Sequence, residues 1–140
     1  MKYSIILLSI LLSGCVNVRE MTGTEVAWQT MNAIDIVQTL QVAKFPECYE
    51  ESNWMTKALI GKHPSESEVL AVGVLYGWGH AKISEMIRSR MTFDENGDPS
   101  NAWEAVNIVW NLFSFVGTGS AVLHNHQIGV RPFNNSKPCP

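Results

Sequence analysis

The chain has 140 residues, enough for one modest domain with a single core. Its 10 Lys and Arg against 13 Asp and Glu give a formal charge of −3, which disfavours a phosphate-backbone binder and sets nucleic acid aside as a partner. Only 16% of residues are charged while 46% are hydrophobic, and there are five tryptophans, a balance that excludes disorder and points to a domain folded near a membrane.

The N-terminus carries a basic residue, Lys2, then an apolar run from Ile5 to Leu12, then the small residues Ser13 and Gly14 before Cys15, the three zones of a secretory signal. The run is too short to cross a membrane by itself. Leu12-Ser13-Gly14-Cys15 resembles the lipobox of bacterial lipoproteins. The resemblance implies a signal peptide over 1–14, a lipid on the Cys15 thiol, and a lipidated stem over 15–23. Val16 rather than Asp after the cysteine implies onward sorting to the periplasmic face of the outer membrane. With Cys15 used for lipid, Cys48 and Cys139 remain as a pair in an oxidising compartment, either joined in a disulfide or left as independent thiols.

The body, 24–130, reads as all-α, a small bundle of three main helices. Thr24 is placed to cap a first helix over Val26–Ala43, whose single charge is Asp35 and which Phe45-Pro46 ends. A loop over 45–53 precedes a short helix at Trp54–Ile60 that stops at Gly61. Ser65 and Glu68 have the spacing of a capping box, opening a second long helix that extends to about Arg90. Asp94-Glu-Asn-Gly-Asp98 is a turn, with its glycine too early for a calcium loop, and Asp98-Pro99 is suited to start a third long helix ending near Leu123. The tail 131–140 has neither a helix nor a strand period.

The uncharged stretch Ala105–Leu123 is about 28 Å long at ~1.5 Å per residue, enough to just cross a bilayer. Asn107, Asn111, Ser114 and Thr118 recur along it at i, i+4, i+7 and i+11, with Asn125 a further seven on, so neutral polar groups share one face. A helix in lipid turns such a face to its neighbours; a helix in water turns it outward. The corresponding uncharged part of the second helix, Val69–Ala81, reaches only about 20 Å.

Candidate chemistry centres on Asp35, with Gln38 and Thr39 beside it and Glu51 and Asn53 in the following loop. Gly73 and Gly77, four apart, permit close helix approach, and His80 on the same stripe is placed to meet Asp35 across the contact as an acid/base pair or as a packed interior histidine. His63, His124 and His126 lack metal-motif spacing, so neither a metal nor a cofactor is expected. Trp28, Trp54, Trp78, Trp103 and Trp110 read either as interfacial anchors or as core aromatics.

The order Trp28, Asp35-x-x-Gln38-Thr39, Glu51-x-Asn53, Gly61-x-His63-Pro64-Ser65 and His80 resembles a group of small helical, membrane-associated proteins of phages, prophages and proteobacteria. Trp54 stands where that group often has proline. The likeness covers about residues 24–130 and implies a helical, phage- or prophage-encoded membrane protein without implying a reaction. Three functional readings follow. The first is a non-enzymatic envelope lipoprotein that binds an envelope protein or the membrane, as in superinfection exclusion or envelope modification. The second is a lysis protein of unimolecular-spanin type, with a lipid at one end and Ala105–Leu123 as a transmembrane anchor. The third is a small hydrolase or transferase using Asp35 and His80.

Overall fold

The computed structural model describes residues 21–51, 53–99 and 101–131. The expected signal segment and lipobox with Cys15, most of the expected stem, and the tail with Cys139 lie outside the described residues. Four helices follow in order: α1 (Gly23–Lys44), α2 (Trp54–Ile60), α3 (Glu66–Arg88) and α4 (Trp103–Gln127). The protein is all-α, a bundle of three long helices with one short one. Among the described residues the only β pairing is an isolated bridge between Phe93 and Pro99.

Local chemistry sets most boundaries. Thr22, rather than the expected Thr24, caps α1 by accepting the Glu25 N–H at 3.2 Å, so the helix starts a turn earlier. At α3 the capping box forms: the Ser65 hydroxyl accepts the Glu68 N–H at 3.3 Å, and the Glu68 carboxylate accepts the Ser65 N–H at 2.7 Å. Helix α2 is followed by Gly61 at φ +80°, a conformation that favours glycine.

The start expected at Pro99 is wrong. Pro99 is held by its bridge to Phe93, and Asp94 Oδ1 closes the preceding turn by accepting N–H groups of Asn96 and Asp98, both at 2.9 Å. Helix α4 instead begins at Trp103, whose N–H donates to Asn101 Oδ1 at 3.2 Å. It runs past Leu123 to Gln127, one turn longer than expected.

Helix α1 is the hub, packing along both α3 and α4, which meet each other less extensively. Trp28 Nε1 donates to the Ser114 carbonyl at 3.1 Å and Gln38 Nε2 to the Val122 carbonyl at 3.2 Å, so α1 and α4 run parallel. Gln29 Nε2 donates to the Gly77 carbonyl at 2.9 Å and Asn32 Nδ2 to the Gly73 carbonyl at 3.4 Å, so α1 and α3 run antiparallel. The two glycines make this possible. A Cβ on Gly73 would fall 2.5 Å from Ile36 Cγ1, and one on Gly77 would fall 3.0 Å from the Gln29 amide oxygen.

The core is inverted relative to a bundle in water. Among the described residues six hydrophobic side chains are buried, against eleven polar or charged ones, including Glu25, Asn32, Gln38, His80 and Asn125. Water-soluble domains bury chiefly apolar residues and leave ionisable ones outside.

Candidate functional site

The exterior is the first feature of functional interest. On α4, Leu112 is 60% exposed, Phe113 62% and Val116 69%, whereas Ser114 is 4% and Thr118 6% exposed. The polar stripe therefore turns towards α1, with Ser114, Thr118 and Asn125 buried and Asn107 and Asn111 half-buried. Only 11% of the most apolar stretch of α4 is buried in the bundle, although the helix is long and apolar enough to cross a membrane. The other long helices share this arrangement. Val26 and Ile34 of α1 and Leu75, Trp78 and Ile83 of α3 are exposed, with the polar side chains behind them.

At one end of the interior a closed cluster surrounds His80. Its ring stacks on Trp28 with centroids 3.5 Å apart and planes 9° from parallel, and Trp110 covers it at 4.9 Å. His80 Nδ1 lies 3.1 Å from Glu25 Oε1, which also accepts from Gln29 Nε2 at 2.8 Å. The Ser84 hydroxyl is 3.5 Å from the same ring nitrogen and accepts the Trp110 indole N–H at 2.9 Å. Serine and carboxylate thus share one ring nitrogen, whereas a nucleophilic triad needs them on opposite nitrogens to pass a proton through the ring. His80 Nε2 and Glu25 Oε2 are buried with no hydrogen-bond partner among the described residues. The expected meeting of His80 with Asp35 does not occur. His80 reaches Glu25, and Asp35 lies ten residues further along α1, about 15 Å away at ~1.5 Å per residue.

At the other end the interior opens into a cavity of about 460 Å³. Asp35, Thr39, Thr118 and Asn125 are among its polar lining, with His124 of α4 and Asn53 from the loop before α2. Asn125 Nδ2 donates to Asp35 Oδ1 at 3.4 Å, a long contact. Leu59 of α2 and Phe113 of α4, both exposed, border the opening.

The remaining sequence candidates separate. Gln38 faces away from the cavity, donating to the carbonyls of Val122 and, at 3.4 Å, Val130. Glu51 is buried beside the cavity, accepting the Asn53 N–H at 2.7 Å while its own N–H donates to the Lys62 carbonyl. Cys48 is disulfide-bonded; the other two cysteines, Cys15 and Cys139, lie outside the described residues. His63 and His126 are exposed, and His124 edges the cavity. Among the described residues no group of three or more His, Cys, Asp or Glu is arranged to hold a metal ion.

Glu25 is the residue that sequence reasoning misses. Its signal is present: Glu25, Gln29, Asn32 and Thr39 fall at i, i+4, i+7 and i+14, a polar stripe on α1 matching the one on α4. The chain matches no protein-family model, no curated protein and no solved structure, so the functional argument rests on these residues and their geometry.

Proposed function

We propose that the protein is a non-enzymatic, lipid-anchored envelope protein, with its lipid on Cys15 and its helical bundle seated in the same membrane. The observation that supports this most directly is the inverted α4, apolar outside at Leu112, Phe113 and Val116 and polar inside at Ser114 and Thr118. In hydrocarbon there is no water to satisfy polar groups, so they turn to neighbouring helices, and small residues let backbones approach. Gln29 and Asn32 bonded to the carbonyls of Gly77 and Gly73 are that kind of contact. Even the exposed hydroxyls follow the rule, with Thr30 bonded to the Val26 carbonyl and Ser120 to that of Gly117, each at 2.9 Å. The apolar surface of α3 is interrupted at Lys82, which pairs with Glu85 at 2.7 Å between the exposed Trp78 and Met86.

The packing of α4 along α1 favours a compact membrane bundle over a spanin, in which α4 would be a separate anchor. The shared ring nitrogen at His80 favours a packing role for the Glu25–His80 pair over hydrolysis. An envelope location, with action by contact on another envelope component in a phage or prophage setting, follows from the lipobox and the family resemblance.

Two measurements test the reading. Palmitate should label the wild-type chain and not a Cys15→Ala variant. Residues 16–140, exported behind a cleavable signal, should stay with membranes through alkaline carbonate extraction. Recovery of that fragment as a monodisperse species in water without detergent would overturn the membrane seat.

A further inference from the structure

The cavity joins two kinds of wall. Four of its lining side chains, Asn32, Thr39, Thr118 and Asn125, are polar and only 5–6% exposed. Asn32 and Thr39 are seven residues apart on α1, and Thr118 and Asn125 seven apart on α4, so two polar stripes, each about 10 Å long, run side by side along parallel helices. Asp35 lies within the first stripe, and Tyr76 and His124 are the other titratable side chains of the lining. The Asn32 amide reaches the Gly73 carbonyl and the Asn125 amide reaches Asp35, each at 3.4 Å, longer than a buried amide N–H ordinarily accepts. The other wall is apolar: Ile36, Val69 and Val72 line it, and the exposed Leu59 and Phe113 border the mouth. Phe113 adjoins Leu112 and Val116 on the exposed apolar face of α4, so an apolar chain leaving the mouth continues along that face. A volume of about 460 Å³ is that of a small-molecule site.

We propose that this cavity binds a neutral single-chain amphiphile whose head carries two or more hydroxyls, a monoglyceride in type, with the head between the α1 and α4 stripes and the chain leaving past Phe113. The lining chemistry selects that head. Amide and hydroxyl side chains both donate and accept, and a hydroxyl answers both. An ammonium only donates, which leaves the Asn32 and Asn125 N–H groups with no better acceptor than they have, whereas a carboxylate or phosphate only accepts and is set against Asp35. Two stripes of this length are matched by a head with several hydroxyls rather than one. The inference goes beyond the membrane seat and does not require it, since the cavity is built by the four helices whatever surrounds them.

The test uses the full chain purified in a zwitterionic detergent that carries no hydroxyl group, followed by calorimetric titration and thermal melting. The probe is 1-octanoylglycerol, and the controls are methyl octanoate, which keeps the chain and ester without the hydroxyls, octylamine and octanoate. The glyceride should bind and raise the melting temperature, with each control at least tenfold weaker. Thr39→Val and Thr118→Val remove one hydroxyl apiece at nearly constant shape, and each should weaken the glyceride about twofold to tenfold, the range expected for one neutral hydrogen bond. Gly117 lines the cavity with nothing within 4 Å of a Cβ built on it, so Gly117→Leu should fill the space beside Phe113 and block binding while leaving the unliganded melting temperature intact. Failure of the glyceride to bind, equal binding of methyl octanoate, tighter binding of octylamine, or undiminished glyceride binding by a folded protein carrying both threonine substitutions would each overturn the proposal. Carbonate extraction reports on the membrane seat separately, so either idea can fail alone.

Discussion

The two ends of the bundle interior are built from similar residues and end in different states. Both place an α1 carboxylate, Glu25 or Asp35, opposite polar groups of the neighbouring helices. At the Glu25 end the partners come within 2.8 to 3.1 Å and two tryptophan rings cover His80. At the Asp35 end the partner is an amide at 3.4 Å and the space beside it is empty of protein. A polar group that is closely bonded and covered specifies packing, whereas one left facing a cavity with an exit is available to a ligand. The residue types alone do not make this distinction; bulk does. Trp28 and Trp110 fill one end, and at the other Gly73 and Gly117 have no side chain to project.

The contrast predicts a ranked set of effects. Largest is Trp28→Ala, which removes the stacked partner of His80 and the indole donor to Ser114 and should cost about 3–5 kcal/mol, read by thermal or denaturant unfolding in detergent. Glu25→Ala should follow, at about 1–3 kcal/mol, because it leaves the buried His80 Nδ1 without its carboxylate partner. Asp35→Asn should shift stability by less than about 1 kcal/mol on the same scale, as expected where no tight network is broken. If Asp35→Asn unfolds the protein as readily as Glu25→Ala does, the two ends are equivalent and the distinction fails.

Glycine substitutions sharpen the comparison at intermediate size. Gly73→Ala drives a Cβ into Ile36, whose contact at 2.5 Å must give way, and should destabilise despite alanine's better helix propensity. Gly117→Ala meets nothing within 4 Å and should stabilise by up to about 1 kcal/mol. Opposite signs in paired melting curves are the expected result.

A purely local effect lies at the start of α3, where Ser65→Ala should cost about 1 kcal/mol by removing the cap. Here the Ser65 backbone N–H and hydroxyl hold the Glu68 carboxyl below its ordinary value. A lowered folded-state value means the contribution is complete above the unfolded-state value and is lost as pH falls through the folded one. Melting curves of wild type and Glu68→Gln should therefore converge as pH drops through the acid range, and a gap that widened on acidification would contradict the assignment.

Much of the fold is legible in the sequence. The capping box at Ser65 and Glu68, the stop at Gly61, and the uncharged helical stretches are local signals, decided by groups within a turn of one another, and the all-α bundle follows from them. The start of α4 is an exception, because Asp98-Pro99 satisfies a local rule that a bridge to Phe93 and the side chain of Asn101 override. Periodicity puts Asn111, Ser114, Thr118 and Asn125 on one face of α4, but does not say whether that face turns inward. Only the packing against α1 decides it, because the sign depends on which surface the helix meets. The partner of His80 is likewise a tertiary decision. Asp35 and Glu25 are both α1 carboxylates, and the antiparallel register set by Gly73 and Gly77 brings His80 to Glu25. A sequence carries the period of each helix, while the register between helices arises from close-range contacts of residues far apart in the chain, and it is that register which closes one end of this interior and leaves the other open.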